Sequence, residues 1–337
     1  MNMKIGVEQM WGDSLDQFRA DVRLADELGY DIIGVGDSPA AWRDLYVSMS
    51  VVAMETKNAL ITPFVTGPFL RHPLVVANAF SSLQDLSGDR MGLGLAVGGG
   101  NVIAIGRKPA NQREINDYWD ALDGLFAGKP IEWEGRPVST LHNPRRTPVY
   151  YSAFGPKAFK LAGQRADGVI MFTDGDLGEV ERKINIVCDA ATEAGRNPDD
   201  VEIWVTAFCS IRDTREQALD DIKAFLVTNG LTFLYTPEKL AQVPDHILPL
   251  LKELERRYDV NEHVVVNGKN VQALNDLGPE LTDFLAKIHT VAGTADEVKA
   301  HIDGLEALGV SAFITNLPGH ADPQGHLKAL AKLVKGV

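Results

Sequence analysis

Residues able to do chemistry stand just after apolar runs in the first half of this chain. Glu8 and Trp11 follow the run 4–9, Asp37 and Trp42 follow 31–36, and Arg71-His72 follows 60–66. Val97, Gly98, Gly99, Gly100 and Asn101 close the run 91–97, Ser152 to Lys157 close 149–153, and Phe172 to Asp174 close 168–172. Asp37, His72 and Glu8 are the candidates for general acid or base work, for which a side chain must hold or release a proton at the reacting atoms. The glycines offer something different. With no Cβ at Gly98, Gly99 or Gly100, the backbone can lie flat against a planar or anionic ligand; a flexible turn is the plain alternative. Phe154-Gly155-Pro156-Lys157 opens a helix directly after a strand, so free amides and the positive helix end could seat a phosphate, although Gly-Pro also starts helices that bind nothing. Lys157, Lys160, Arg107 and Lys108 could add local positive charge, or could be solvated surface groups.

Rival chemistries lack their residues. A catalytic metal needs imidazoles or carboxylates gathered at strand ends, yet of eight histidines His72 alone lies near one, so no metal is expected. Cys188 and Cys209 are far apart and no G-x-S-x-G occurs, which removes disulfide, thiolate-metal and nucleophile-elbow readings. A formal charge of −13 without a basic run argues against nucleic acid as a partner. Exclusion leaves an organic cofactor and a small-molecule substrate.

The elements that must position these groups alternate. Apolar runs at 4–9, 31–36, 60–66, 91–97, 149–153, 168–172, 201–210 and 311–317 read as strands buried on both faces, and helical periodicity follows each. Eight βα units predict a parallel (β/α)8 TIM barrel, with a doubly wound open sheet as runner-up that would need a phosphate loop after the first strand; Gln9 to Asp13 holds no G-x-G-x-x-G. The expected organisation is one barrel domain over 1–337 with insertions at about 128–147 and 228–291, the second helical and without a convincing buried strand beyond the short run 263–266. No run of about 18 apolar residues is present and the first residues start a strand, so a cytoplasmic protein is expected.

Several of these stretches, in their order and spacing, resemble the bacterial luciferase-like superfamily of flavin- and deazaflavin-dependent oxidoreductases, especially its methylenetetrahydromethanopterin reductase-like subgroup. They are Ala25-Asp-Glu-Leu-Gly-Tyr-Asp31, Gly36-Asp37, Pro63 through His72-Pro73, Leu86 through Gly98, Gly106-Arg-Lys-Pro-Ala110, and Phe154-Gly-Pro-Lys157 with Leu161-Ala-Gly163 and Ala166-Asp-Gly-Val169. The resemblance implies a non-prolyl cis peptide at Phe64-Val65 behind an isoalloxazine-type ring. It implies Val97, Gly98 and Gly99 along the ring or its side chain, with Asn101 beside them, and Ser152, Gly155, Pro156 and Lys157 at the ribityl phosphate. Asp37 and Trp42 would stand beside ring and substrate, His72 is a candidate acid or base, and Arg107 would meet an acidic cofactor tail. Dehydrogenases of this family place a histidine after the Asp37 position and a glutamate near the Asn101 position; this chain has Ser38 and Asn101.

The function expected on this resemblance is a two-component monooxygenase using reduced FMN from a partner flavin reductase. The alternative is F420-dependent hydride transfer, toward which the Gly-Pro-Lys and Gly-Arg-Lys-Pro-Ala signatures lean. A barrel that has lost its cofactor is a third reading. Family members are commonly dimers, so a homodimer is expected.

Overall fold

The computed structural model describes residues 3–173, 175–234, 240–262 and 264–337. Asp174, expected at a strand end, and His263, expected in a short apolar run, lie outside them. The strands form a mostly parallel sheet in the order β3-β2-β1-β11-β9-β8-β7-β4, a (β/α)8 barrel as the alternation of elements predicts. These are β1 (Lys4–Gln9), β2 (Ile32–Val35), β3 (Leu60–Pro63), β4 (Leu93–Leu95), β7 (Val149–Ser152), β8 (Gly168–Phe172), β9 (Glu202–Ile211) and β11 (Ala312–Asn316). Among the described residues no helix is long and apolar enough to cross a membrane.

Packing divides the chain into two units, the first holding 1–171, 181–205 and 309–314, the second 172–180, 206–308 and 315–337. In the first, β1 pairs with β2 in the register Gly6 to Ile32, and β2 pairs with β3 from Ile32 to Leu60, all parallel. Its helices include α1 (Leu15–Glu27), α2 (Leu45–Glu55), α3 (Pro73–Ser87), the single turn α4 (Gly100–Ile103), α5 (Gln112–Phe126) and α6 (Pro156–Arg165). Most start on a side chain that accepts from the first turn's orphan amides, as Ser14, Asp44 and Asn111 do for α1, α2 and α5. Residues 128–147 form the small antiparallel hairpin β5 (Ile131–Trp133) and β6 (Arg136–Val138). Ile32, Tyr150, Ile170, Trp204, Ala312 and Ile314 fill the interior, with Tyr150 and Trp204 stacked at 3.7 Å between ring centres.

β3 and β4 are the strands that fall furthest short of the runs the sequence suggests. β3 stops at Pro63 because the next peptide, Phe64-Val65, is cis, at the position the resemblance implies. The ladder to β4 is interrupted there and resumes as isolated bridges, Ile61 to Met91 below and Thr66 to Leu95 above.

The second unit packs helices Arg215–Asp221, Lys223–Gly230, Leu248–Arg257, Lys269–Leu277 and Pro279–Leu285 around a core including Phe225, Leu251, Leu274 and Phe284. Here the expectation for 228–291 needs correction. Thr290–Gly293 is a fully buried strand, β10, parallel to β9 from Thr290 opposite Phe208 to Gly293 opposite Ile211. Four residues of which two are Thr and Gly carry too little hydrophobicity to announce a strand; pairing with the long β9 supplies what composition does not.

Candidate active site

Asp37, at the carboxyl end of β2, is the hub of a buried network. Its Oδ2 accepts from Thr66 Oγ1 at 2.7 Å and from Arg71 Nη1 at 2.6 Å, and its carbonyl accepts from Asn101 Nδ2 at 3.1 Å. The ion pair is largely shielded, the Asp37 side chain being 2% exposed and that of Arg71 14%. Burial acts to lower the Arg71 pKa, but the hydrogen bond and charge of Asp37 outweigh it and hold the guanidinium above its usual value. Arg71 also lies 4.7 Å from the centre of the Tyr46 ring, and its carbonyl accepts from Tyr118 Oη at 3.0 Å.

Asn101 is spent on the backbone. Its Oδ1 accepts from the N–H groups of Gly99 and Val102, both at 2.9 Å, while its amide donates to Asp37. The glycine loop is thereby tied to the end of β2. Gly98 has φ of +91° and a Cβ there would meet Val102 Cγ1 at 2.6 Å, so glycine is required on two counts. Gly99, Gly100 and Gly155 face open space, with nothing within 4 Å of where a Cβ would stand. These are cradles that any larger residue would fill. Gly155 starts α6 with no side-chain cap and Pro156 in the first turn, leaving orphan amides beside half-buried Ser152 and exposed Lys157. The donor set therefore fits a planar ring with a phosphorylated side chain.

The remaining candidates are placed elsewhere. His72 caps α3, its Nδ1 accepting from Leu74 N–H at 3.1 Å, and packs edge-on to Trp133. Arg107 is exposed, its guanidinium 4.9 Å from the centre of the Phe69 ring. With Arg71 and Trp133, both line a groove of about 920 Å³ between the loop after β3, α5 and the hairpin. Trp42 is half-buried, with Cδ1 3.5 Å from where a Gly36 Cβ would stand. Phe64 and Val65 pack against the interior cluster, and Val97 is half-buried before the glycines.

Glu8 stands out chemically. A Cβ on Gly6 would meet Ile314 Cγ1 at 2.9 Å and Ile32 Cβ at 3.0 Å, so Gly6 faces the interior cluster. Glu8, two residues on, shares that face at the carboxyl end of β1. Desolvation pushes its carboxyl from 4.5 to about 8. No hydrogen bond or ion pair to it is found among the described residues. Glu8 is half-buried, and the desolvation shifts its carboxyl toward the protonated form, the state a proton donor needs.

Residues 3–312 match the model of the luciferase-like monooxygenase family. The chain belongs to this family. The 5,10-methylenetetrahydromethanopterin reductase of Methanolobus tindarius is 25% identical, over 99% of this chain and 100% of the relative. Among solved structures, the coenzyme F420-dependent tetrahydromethanopterin reductase of Methanopyrus kandleri superposes with a TM-score of 0.77 at 20% identity, over 100% of this chain and 99% of that one. The FMN-bound oxygenating constituent of 3,6-diketocamphane monooxygenase from Pseudomonas putida gives 0.67 at 17% identity, over 99% and 98%. This luciferase-like chain is thus an oxidoreductase of the flavin- or deazaflavin-dependent kind, and its relatives favour the F420 alternative over the FMN expectation.

Proposed function

We propose that this chain is an F420-dependent hydride-transfer oxidoreductase acting as a reductase or dehydrogenase on a small organic substrate. The observation that carries the reading is Glu8. The histidine and glutamate that family dehydrogenases place near positions 38 and 101 are Ser38 and Asn101 here, and the Asn101 amide is committed to holding the glycine loop. Glu8 supplies an acid from a different strand end, kept neutral by burial.

Bound F420 supplies the hydride acceptor or donor. Gly98 to Gly100, which present no side chain, and the segment at the cis peptide Phe64-Val65 would line its ring. Gly155, Lys157 and Ser152 offer donors for its phosphate, and Arg107 with Lys108 offers positive charge for an acidic tail. Glu8 would hold the proton that reduction of a neutral acceptor needs, given either to the heteroatom of a C=O or C=N bond as the hydride reaches its carbon, or to an aminal nitrogen whose C–N bond opens to the iminium that takes the hydride, and would recover it in the reverse direction. The resemblance to the Methanolobus reductase makes a methylenetetrahydropterin the first substrate to try. The reduced-FMN monooxygenase with a partner reductase rests on likeness of fold to the diketocamphane enzyme, without a residue here that favours it.

The test is an anaerobic titration with F420, FMN and reduced FMN, followed by ring fluorescence and absorbance. Saturable F420 binding with no FMN binding is expected. Tight binding of reduced FMN and none of F420 would reverse the assignment, and binding of neither would favour a barrel without a cofactor.

A further inference from the structure

We propose that Arg71 is a positioning residue that, through Asp37, fixes the shape of the glycine loop and of the bulge at Phe64-Val65. The proposal deepens the reading above, since those two segments are the wall assigned to the deazaflavin.

Asp37 ends β2, Thr66 and Arg71 follow β3, and Asn101 follows β4, so three strand ends separated by as many as 64 residues meet at one carboxylate and its own carbonyl. Each contact controls a segment that regular pairing does not. Beyond the cis peptide, Thr66 resumes the link to β4, its N–H donating to Gly94 O at 3.0 Å and its carbonyl accepting from Ala96 N–H at 2.9 Å. The Thr66 hydroxyl donates to the oxygen that Arg71 holds, so the carboxylate sets where the bulge re-enters the sheet. On the other side, Asn101 can grip Gly99 and Val102 in this orientation because its amide is anchored on the Asp37 carbonyl.

Arg71 is itself gripped from three further sides. Its Nη2 is 3.4 Å from Asp44, which caps α2, its guanidinium lies over Tyr46 of α2, and its carbonyl is held by Tyr118 of α5. An ammonium could match the charge but not this planar, many-sided fit. The arrangement also reassigns Asp37. A carboxylate with its side chain 2% exposed, one oxygen already taken by two donors, is suited to bracing loops rather than to exchanging a proton with substrate.

Arg71→Met and Arg71→Lys in the full-length protein test this. Without cofactor, amide hydrogen exchange at 64–67 and 96–102 should rise about tenfold or more in Arg71→Met, while amides in α1 and β11 keep their wild-type rates. The F420 dissociation constant should rise about tenfold or more, and Arg71→Lys should recover part of both effects. A uniform rise in exchange would reduce Arg71 to a general stability residue and overturn the proposal, as would unchanged exchange at both segments. If the wild type binds no F420, the deazaflavin reading fails while the exchange pattern still decides whether Arg71 shapes these loops; if Arg71→Met does not fold, Arg71→Lys carries the same measurement.

Discussion

Replacing Glu8 with Gln removes a titration without removing much volume, so its effect should depend steeply on pH. In the unfolded chain the carboxyl ionises near 4.5, whereas in the folded protein burial moves it to about 8. Because the folded value is raised, the protonated form's contribution to stability is fully present below 4.5 and is lost as pH rises through about 8. In that interval folding takes up a proton and costs about 1.4 kcal/mol per pH unit. The cumulative cost to the wild type is about 3 kcal/mol at pH 7 and about 5 kcal/mol at pH 9, where the loss has levelled off. Glu8→Gln should match the wild type at pH 4.5 and exceed it by a margin that widens to a few kcal/mol at pH 9. Urea unfolding at pH 4.5, 7 and 9 on both proteins measures that margin. Infrared difference spectra should also show a protonated carboxyl band at pH 7 that the variant lacks. Parallel pH dependence in the two proteins would refute the reasoning, since it would mean that Glu8 is ionised in the fold. With F420 and a methylenetetrahydropterin as trial substrates, the same variant should lose about 10²- to 10⁴-fold in turnover if Glu8 is the acid.

Other expectations follow from different parts of the chain. His320 and His326 are buried and stacked at 4.9 Å; burial lowers the first to about 4 and the second well below its usual value, so their contribution is present above pH 6.5 and lost as pH falls below it. Unfolding free energy should therefore drop by about 1.4 kcal/mol per pH unit for each below pH 6.5, and His326→Gln should flatten the slope in urea melts between pH 7 and 4.5. A Cβ at Gly94 would lie 2.0 Å from Pro63 O, whereas one at Gly155 meets nothing within 4 Å. Gly94→Ala should thus cost about 3 kcal/mol in chemical denaturation, and Gly155→Ala should leave stability unchanged while weakening F420 in the titration. Helix α2 is apolar on every side, yet Val47 and Met54 on it are exposed, as are Val75 and Leu86 on α3. If that face is where two copies meet, Met54→Glu should convert a dimer to monomers in light scattering.

The barrel was legible because each strand declares itself in a one-dimensional pattern: an apolar run, a turn residue, then helical spacing. The cis peptide at Phe64-Val65 came instead from the resemblance, and nothing in the residue types at 64 and 65 would have announced it. Pairings across the chain were not legible. Asp37 and Arg71 both stand out as strand-end residues, but that they meet each other depends on the interruption of β3, a three-dimensional event. The resemblance puts Asn101 beside a cofactor, but nothing in its residue type tells that its three hydrogen bonds run to Gly99, Val102 and the Asp37 carbonyl and so tie the glycine loop to the end of β2.

Glu8 shows where more could have been read. Strand parity is written in the sequence: Gly6 and Glu8 share a face, and a glycine within a barrel strand marks close packing on its side. What parity cannot supply is the surroundings of the carboxyl. Ile32 and Ile314, which stand at the level of Gly6, come from strands 26 and 308 residues away in sequence and offer that face no cation. An Arg or Lys reaching the Glu8 carboxyl would bring it back toward the ordinary carboxylate range and remove the acid. The same face of β1 with one added cation would therefore leave the fold intact and the proton chemistry lost.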